Sequence, residues 1–349
     1  MPEEPAVDLL SVDSFVTTVK YRNDLTALTK DLTDPYPQQL LKARAIFKWI
    51  TDNIVYDRRD YNRHELKGKE RKSLKCRNDE DCTAKMQAWE TRYIDRVLRK
   101  KKAICQGYAM LFKRMCDIAG LRAEFVPGYT RTEYYQVGTP GSLNHAWNAL
   151  WIDSTYHLLD ATWAAGGCAK EEDGRLEKFA RHFNNYYWLT TPEDFARDHF
   201  PKDSIWVLIP HYSKEDFSSN PYYKPEVLND TKLISPASGV INAKKGDTLH
   251  FKIECGLISD TLQINSNFFR NPDIWVEDES LPKRRRTKKL DTLALKKQQY
   301  IKFNRSGALY TFEYVLPDDS IYYLDVLFDR SRILRFKVNP THPTPTSSQ

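Results

Sequence analysis

Apolar positions recur at helical spacing early in the chain and at strand spacing through most of the rest. Leu40, Ala43, Phe47, Ile50 and Ile54 keep to one helical face after Pro35 and Pro37, and predict a helix over 37–54. Residues 58–90 are densely charged and predict an irregular or helical insertion. A second helix is predicted to start near Cys105. Tyr108, Leu111, Phe112, Met115 and Ala119 form its apolar stripe, Lys113, Arg114 and Asp117 lie opposite, and Gly120 is the stop. The period then changes to two. Residues 122–131 predict a strand, a Gly/Pro/Ser loop follows, and "HAWNALWID" and "YHLLDATW" predict a hairpin turning at Asp153-Ser154-Thr155. After "YYWLTTPEDFARDHFPKD" the chain is proline-rich and irregular to about Pro236. From Ser238 on, runs such as "DTLHFKIEC", "ALYTFEYVLP" and "IYYLDVLFD" predict short strands of a β-sandwich.

At 349 residues the chain is too long for a single core. The pattern divides it into 1–204 as an α+β domain, 205–237 as a connection, 238–340 as an all-β sandwich and 341–349 as a disordered tail rich in Pro, Thr and Ser. With 41% hydrophobic and 29% charged residues it falls with globular rather than disordered chains. No apolar run reaches the ~20 residues of a membrane helix. The start, MPEEPAVDLL, lacks the features of a signal peptide. The expectation is a soluble protein, cytoplasmic or exported with its signal removed. The net charge is +6, with basic clusters at Arg96–Lys102 and Lys283–Lys289. No zinc-finger or RNP pattern accompanies them, so they read as solvated faces and no specific nucleic-acid site is expected. Of six cysteines, Cys76 and Cys82 bracket an acidic loop and can form a local disulfide; the spacing does not suit zinc. Cys116 and Cys255 read as small buried hydrophobes, and Cys168 is expected in a loop. No metal or cofactor is expected.

Cys105 stands apart because it opens a helix. The first turn of a helix carries unpaired N–H groups and a partial positive charge, which favour a thiolate over a thiol. A nucleophile also needs a base and a group that orients it. His145 opens the first hairpin strand and shares a face with Trp147, Ala149 and Trp151. With a two-residue turn, Ile152 opposes Thr155, and counting outward puts Trp147 opposite Asp160. Asp160 is then on the face of His145, one diagonal step away. His157 has the opposite parity. Taken singly, each of the three residues is ordinary: a packed cysteine, a satisfied histidine, a turn aspartate. It is their order on helix start, strand and strand that suggests chemistry.

The segments "AICQGYA", "NHAWNALWID" and "LLDATW", with "AIFKWITDNIVYD" upstream, resemble the transglutaminase-like superfamily of papain-type folds. The resemblance covers about residues 40–165; "YYWLTTPEDFARDHFPKD" and the β region that follows resemble its kyphoscoliosis peptidase branch. Tyr156 departs from the tryptophan that relatives often carry before the last strand. The resemblance implies an α+β core with the cysteine helix packed on an antiparallel sheet, followed by an immunoglobulin-like sandwich. It also implies acyl transfer through Cys105, His145 and Asp160. The Cys105 amide is one oxyanion donor, with Tyr56, Trp49 and Gln106 as candidates for another. Tyr134, Tyr135, Trp147 and Trp163 are candidates for the substrate cleft. The partner is a protein or peptide, and the β region is a second candidate protein-binding surface. Water as acceptor makes a peptidase or amidase, which the lack of an EF-hand loop favours; a lysine amine makes a cross-linking transglutaminase. A non-catalytic scaffold and a processor of cell-wall peptides are the remaining alternatives.

Overall fold

The computed structural model describes residues 8–69, 74–280 and 282–341; most of the tail expected beyond 340 lies outside them. The chain forms two compact units. One comprises Met1–Thr130 and Ser142–His211, the other Arg131–Gly141 and Tyr212–Gln349. Two differences from the sequence-based partition stand out. The segment 131–141 folds with the second unit although the chain on both sides belongs to the first. Much of the expected connection is also structured, with the helix Lys214–Ser219 and the strand Thr231–Ser235. Proline-rich stretches without periodicity conceal such short elements.

In the first unit, helix Gln39–Asn53 buries Ala43, Phe47 and Ile50 completely. Helix Asp79–Lys100 begins inside the charged insertion and runs ten residues past its expected end at 90. Asn78 caps it by accepting from the Asp81 N–H. Asp79, Glu80 and Asp81 fill its first turn and Arg99 and Lys100 its last, each sign at the helix end that favours it. The basic cluster at 96–102 is thus mostly the end of this helix, and a Cys76–Cys82 disulfide closes the loop at its start. Helix Cys105–Ile118 follows, with Tyr108, Leu111, Phe112, Met115 and Cys116 fully buried.

That helix lies on a four-stranded antiparallel sheet. The strand order is Thr155–Leu159, Leu143–Ile152, Ala123–Thr130, His199–Pro201. Ile152 pairs with Thr155, and Asp153 and Ser154 have φ of 49° and 64°, the left-handed pair of a type I′ turn. Asn148 secures the helix to the sheet. Its Nδ2 donates to the carbonyls of Ala109 and Glu124, each at 3.0 Å.

The second unit holds two sheets around one apolar core. One sheet is ordered Thr231–Ser235, Thr248–Cys255, Leu309–Val315, Phe303–Ser306. The other is ordered Val240–Ala243, Ser331–Pro340, Tyr323–Phe328, Leu262–Ser266, with Tyr222–Tyr223 also on Ser331–Pro340. Phe251, Ile253 and Tyr310 from the first meet Leu324, Val326 and Phe336 from the second, and the rings of Phe251 and Phe336 are 5.4 Å apart. Val240–Ala243 runs parallel to its neighbour; the other pairings are antiparallel. The second basic cluster ends in the strand Lys288–Leu290, paired with Trp275–Glu277. The segment 131–141 is fastened here by Arg131, whose guanidinium donates to the carbonyls of Phe217 (2.6 Å), Ser218 (3.0 Å), Asn220 and Pro221. Among the described residues no helix is long and apolar enough to cross a membrane.

Candidate active site

Cys105 is the first residue of its helix, after Ile104 in extended conformation. Gly107 explains the motif around it. A Cβ there would come 2.6 Å from Ala103 Cβ, and 3.1 Å from Val97 in helix Asp79–Lys100, so glycine lets the helix start lie this close to the Lys102–Ala103 strand. Strand Val55–Tyr56 pairs in parallel with Lys102–Ala103, which sets Tyr56 opposite Ala103, two residues before the cysteine. Lys100, Lys101 and Lys102 are exposed.

Cys105 keeps 7% of its surface exposed, and its Sγ lies 3.7 Å from the carbonyl oxygen of Asn144. The next residue is His145. Its Nε2–H donates to Asp160 Oδ2 at 2.7 Å, which leaves Nδ1 for the Cys105 sulfur. The other oxygen of Asp160 caps the short helix Ala161–Ala165, accepting from the Thr162 N–H at 2.7 Å and the Trp163 N–H at 3.3 Å. Asp160 is completely buried.

The electrostatics follow from this geometry. Burial alone would lower the His145 pKa, but the charges of Asp160 and Cys105 and hydrogen bonds to both outweigh it and push it up to about 10. Burial alone would raise Asp160; the charge of His145 and the hydrogen bonds from His145 and His199 hold it well below the usual carboxylate range. The arrangement therefore favours an imidazolium–carboxylate pair beside the sulfur. Burial and the charge of Cys105 push the Tyr56 hydroxyl well up, so it remains a donor.

The other predicted residues are placed unevenly. Trp49 is 1% exposed and its indole N–H is given to the Val19 carbonyl at 3.3 Å, so that donor is already committed. Gln106 is half-buried in the first helical turn. Trp147 is a core residue, its ring packed on Phe195 and His199. Trp163 is half-buried with its ring 5.2 Å from that of His145, so it does border the site. Tyr134 and Tyr135 fold with the second unit, where the ring of Tyr134 lies under Arg335 at 4.3 Å and Arg332 at 4.7 Å.

His199 is the residue that sequence reasoning missed. It is 1% exposed, with Nε2 3.3 Å from Asp160 Oδ2 and Nδ1 2.5 Å from Asp198 Oδ1. The signal was an Asp-His pair before a proline; its strand joins the sheet through Gly128–Thr130, about seventy residues away in sequence, a pairing no local pattern announces. His145, Asp160 and His199 converge to within 4.8 Å and form the metal-capable group among the described residues. Their hydrogen bonds to one carboxylate already account for the convergence.

Residues 26–161 match the family model of the transglutaminase-like superfamily. Kyphoscoliosis peptidase of Homo sapiens is 33% identical over 239 residues, covering 67% of this chain and 32% of that protein. Its counterpart in Mus musculus is 32% identical over the same coverage. Hillarin of Drosophila melanogaster is 24% identical over 215 residues, covering 58% of this chain and 23% of that protein. The chain thus spans 32% of the length of the two kyphoscoliosis peptidases.

Proposed function

We propose that this chain, which carries a domain of the transglutaminase-like superfamily over residues 26–161, is a thiol enzyme that transfers acyl groups from protein or peptide amides, with water as the acceptor. The observation that carries this reading is the buried His145–Asp160 pair, joined at 2.7 Å, at the helix start that presents Cys105. Cys105 as thiolate attacks the carboxamide carbon, and the carbonyl π electrons move to oxygen. The Cys105 amide and the Tyr56 hydroxyl are the donors offered to that oxyanion. As the intermediate collapses, the C–N bond breaks and His145 gives its proton to the leaving nitrogen. The thioester is then hydrolysed, with His145 taking a proton from the attacking water. Asp160 keeps the imidazole oriented and favours its charged form. The relatives named as peptidases support hydrolysis, and the sandwich unit is a candidate surface for holding a protein substrate.

Incubation with peptide-amide libraries, followed by peptide mass analysis, tests this. The expected result is an acyl adduct on Cys105 that is absent from Cys105→Ala, with released amine. Neither adduct nor released amine from the wild type across broad libraries would sink the proposal and leave an interaction protein. A labelled primary amine built into product would move the acceptor from water to amine.

A further inference from the structure

The buried polar line does not stop at Asp160. His199 Nε2 meets the same oxygen, Oδ2, that His145 uses, and His199 Nδ1 meets Asp198 Oδ1. Asp198 Oδ2 in turn accepts from the Tyr187 hydroxyl at 2.9 Å. A carboxylate can only accept. An imidazole with a carboxylate oxygen at each nitrogen therefore carries both protons and a positive charge. Apolar rings enclose it: Phe195 stacks at 4.2 Å, and Trp163 and Trp147 lie at 4.5 and 5.0 Å. The titratable groups facing it are Asp160, Asp198, Tyr187 and His145, whose ring is 5.5 Å away. Burial and the adjacent Asp198 keep Tyr187 protonated, so the only other cation in the group is His145.

We propose that His199 is a positioning residue: clamped between Asp160 and Asp198, it fixes the carboxylate oxygen that His145 uses and draws off part of its charge. This rests on the reading of Cys105, His145 and Asp160 as the reacting line. Two cations on one carboxylate repel, so each gives up a proton more readily than it would alone. For an acid that must hand a proton to a leaving nitrogen, a lower affinity for that proton is an advantage. Burial alone would lower the His199 pKa, but the charge of Asp198 and hydrogen bonds to Asp160 and Asp198 outweigh it, so the ring holds its proton more tightly than a free imidazole. A merely space-filling histidine would be a neutral tautomer with no hold on His145.

The test labels histidine Cε1 with carbon-13 and follows titration by NMR in the whole protein. His145→Gln and His199→Gln assign the two signals. In His199→Gln the His145 midpoint should rise by about half a pH unit or more. Asp198→Asn keeps the ring and its packing; it should lower the His199 midpoint and raise that of His145, and it serves if His199→Gln does not fold. A His145 midpoint that stays put or falls in His199→Gln, or in Asp198→Asn where His199→Gln does not fold, or a wild-type His199 that titrates below the ordinary 6.5, overturns the inference. Iodoacetamide labelling of the native wild type at neutral pH, read by peptide mass, separates the two claims. An unlabelled Cys105 sinks the thiol-enzyme reading itself, whereas a labelled Cys105 with an unmoved His145 midpoint sinks only the role of His199.

Discussion

His145 binds its proton more tightly in the folded chain than in the unfolded one, and Asp160 binds its own less tightly. The signs set a stability window. The contribution of His145 is complete below the ordinary 6.5 and is lost as pH rises through about 10. That of Asp160 is present above 3.8 and is lost as pH falls through its lowered value. The urea midpoint of the wild type minus that of His145→Gln should therefore shrink steadily between pH 6.5 and 10. A constant difference would mean that the pair is not ionised. Cys105 raises His145 both by charge and by hydrogen bond, so Cys105→Ala should lower the His145 midpoint in the same NMR titration. His145 and Asp160 were legible in the sequence because the two-residue side-chain period and a short turn fix which faces meet. His199 was not, since its place depends on a strand pairing across some seventy residues. Trp49 had the right chemistry in a helix close to the site; only the position of the Val19 carbonyl shows that its N–H is committed elsewhere.

Among the elements, the strand Ala123–Thr130 supports the histidine strand through Gly128, which pairs with His145 on one side and Pro201 on the other. A Cβ at Gly128 would lie 2.1 Å from the Trp147 ring and 2.5 Å from the Phe200 carbonyl oxygen. Gly128→Ala should cost about 1–3 kcal/mol, read as a lowered urea midpoint. Gly167→Ala, where nothing lies within 4 Å, should stay within about 0.5 kcal/mol. Equal effects would mean that the ring moves aside freely. At the head of helix Asp79–Lys100, the disulfide predicts four titratable thiols in unreduced denatured protein, those of Cys105, Cys116, Cys168 and Cys255. Six would show the loop open. Closing so short a loop should stabilise by about 2 kcal/mol. The helix over 37–54, the Cys105 helix and the hairpin could be read from periodicity, whereas the longest helix, Asp79–Lys100, was left inside a charged insertion although Asn78 and three acidic residues mark its start. Strands such as Val240–Ala243 were lost because four residues are too few to show an alternating period.

For the molecule as a whole, the pattern of the sequence carried no sign that residues 131–141 fold with the second unit. Arg131→Met removes every guanidinium bond to the 217–221 carbonyls. Hydrogen exchange over residues 214–221 should then speed up, by an amount equivalent to about 2 kcal/mol or more; unchanged protection would show that the guanidinium does not hold this segment. The excursion was hidden because "RTEYYQVGTPG" looks like any polar turn, and only the backbone oxygens that Arg131 reaches identify its home.

That excursion also governs how the protein can be dissected. The chain leaves the first unit at Thr130 and re-enters it at Ser142, three residues ahead of His145. No single scission can separate the halves. A product ending at His211 would carry eleven orphaned residues, with Arg131 and Tyr134 stripped of their acceptors and cations. Isolating the half that carries Cys105 calls for surgery at two points, with a short bridge spliced from Thr130 to Ser142 as well as the stop codon.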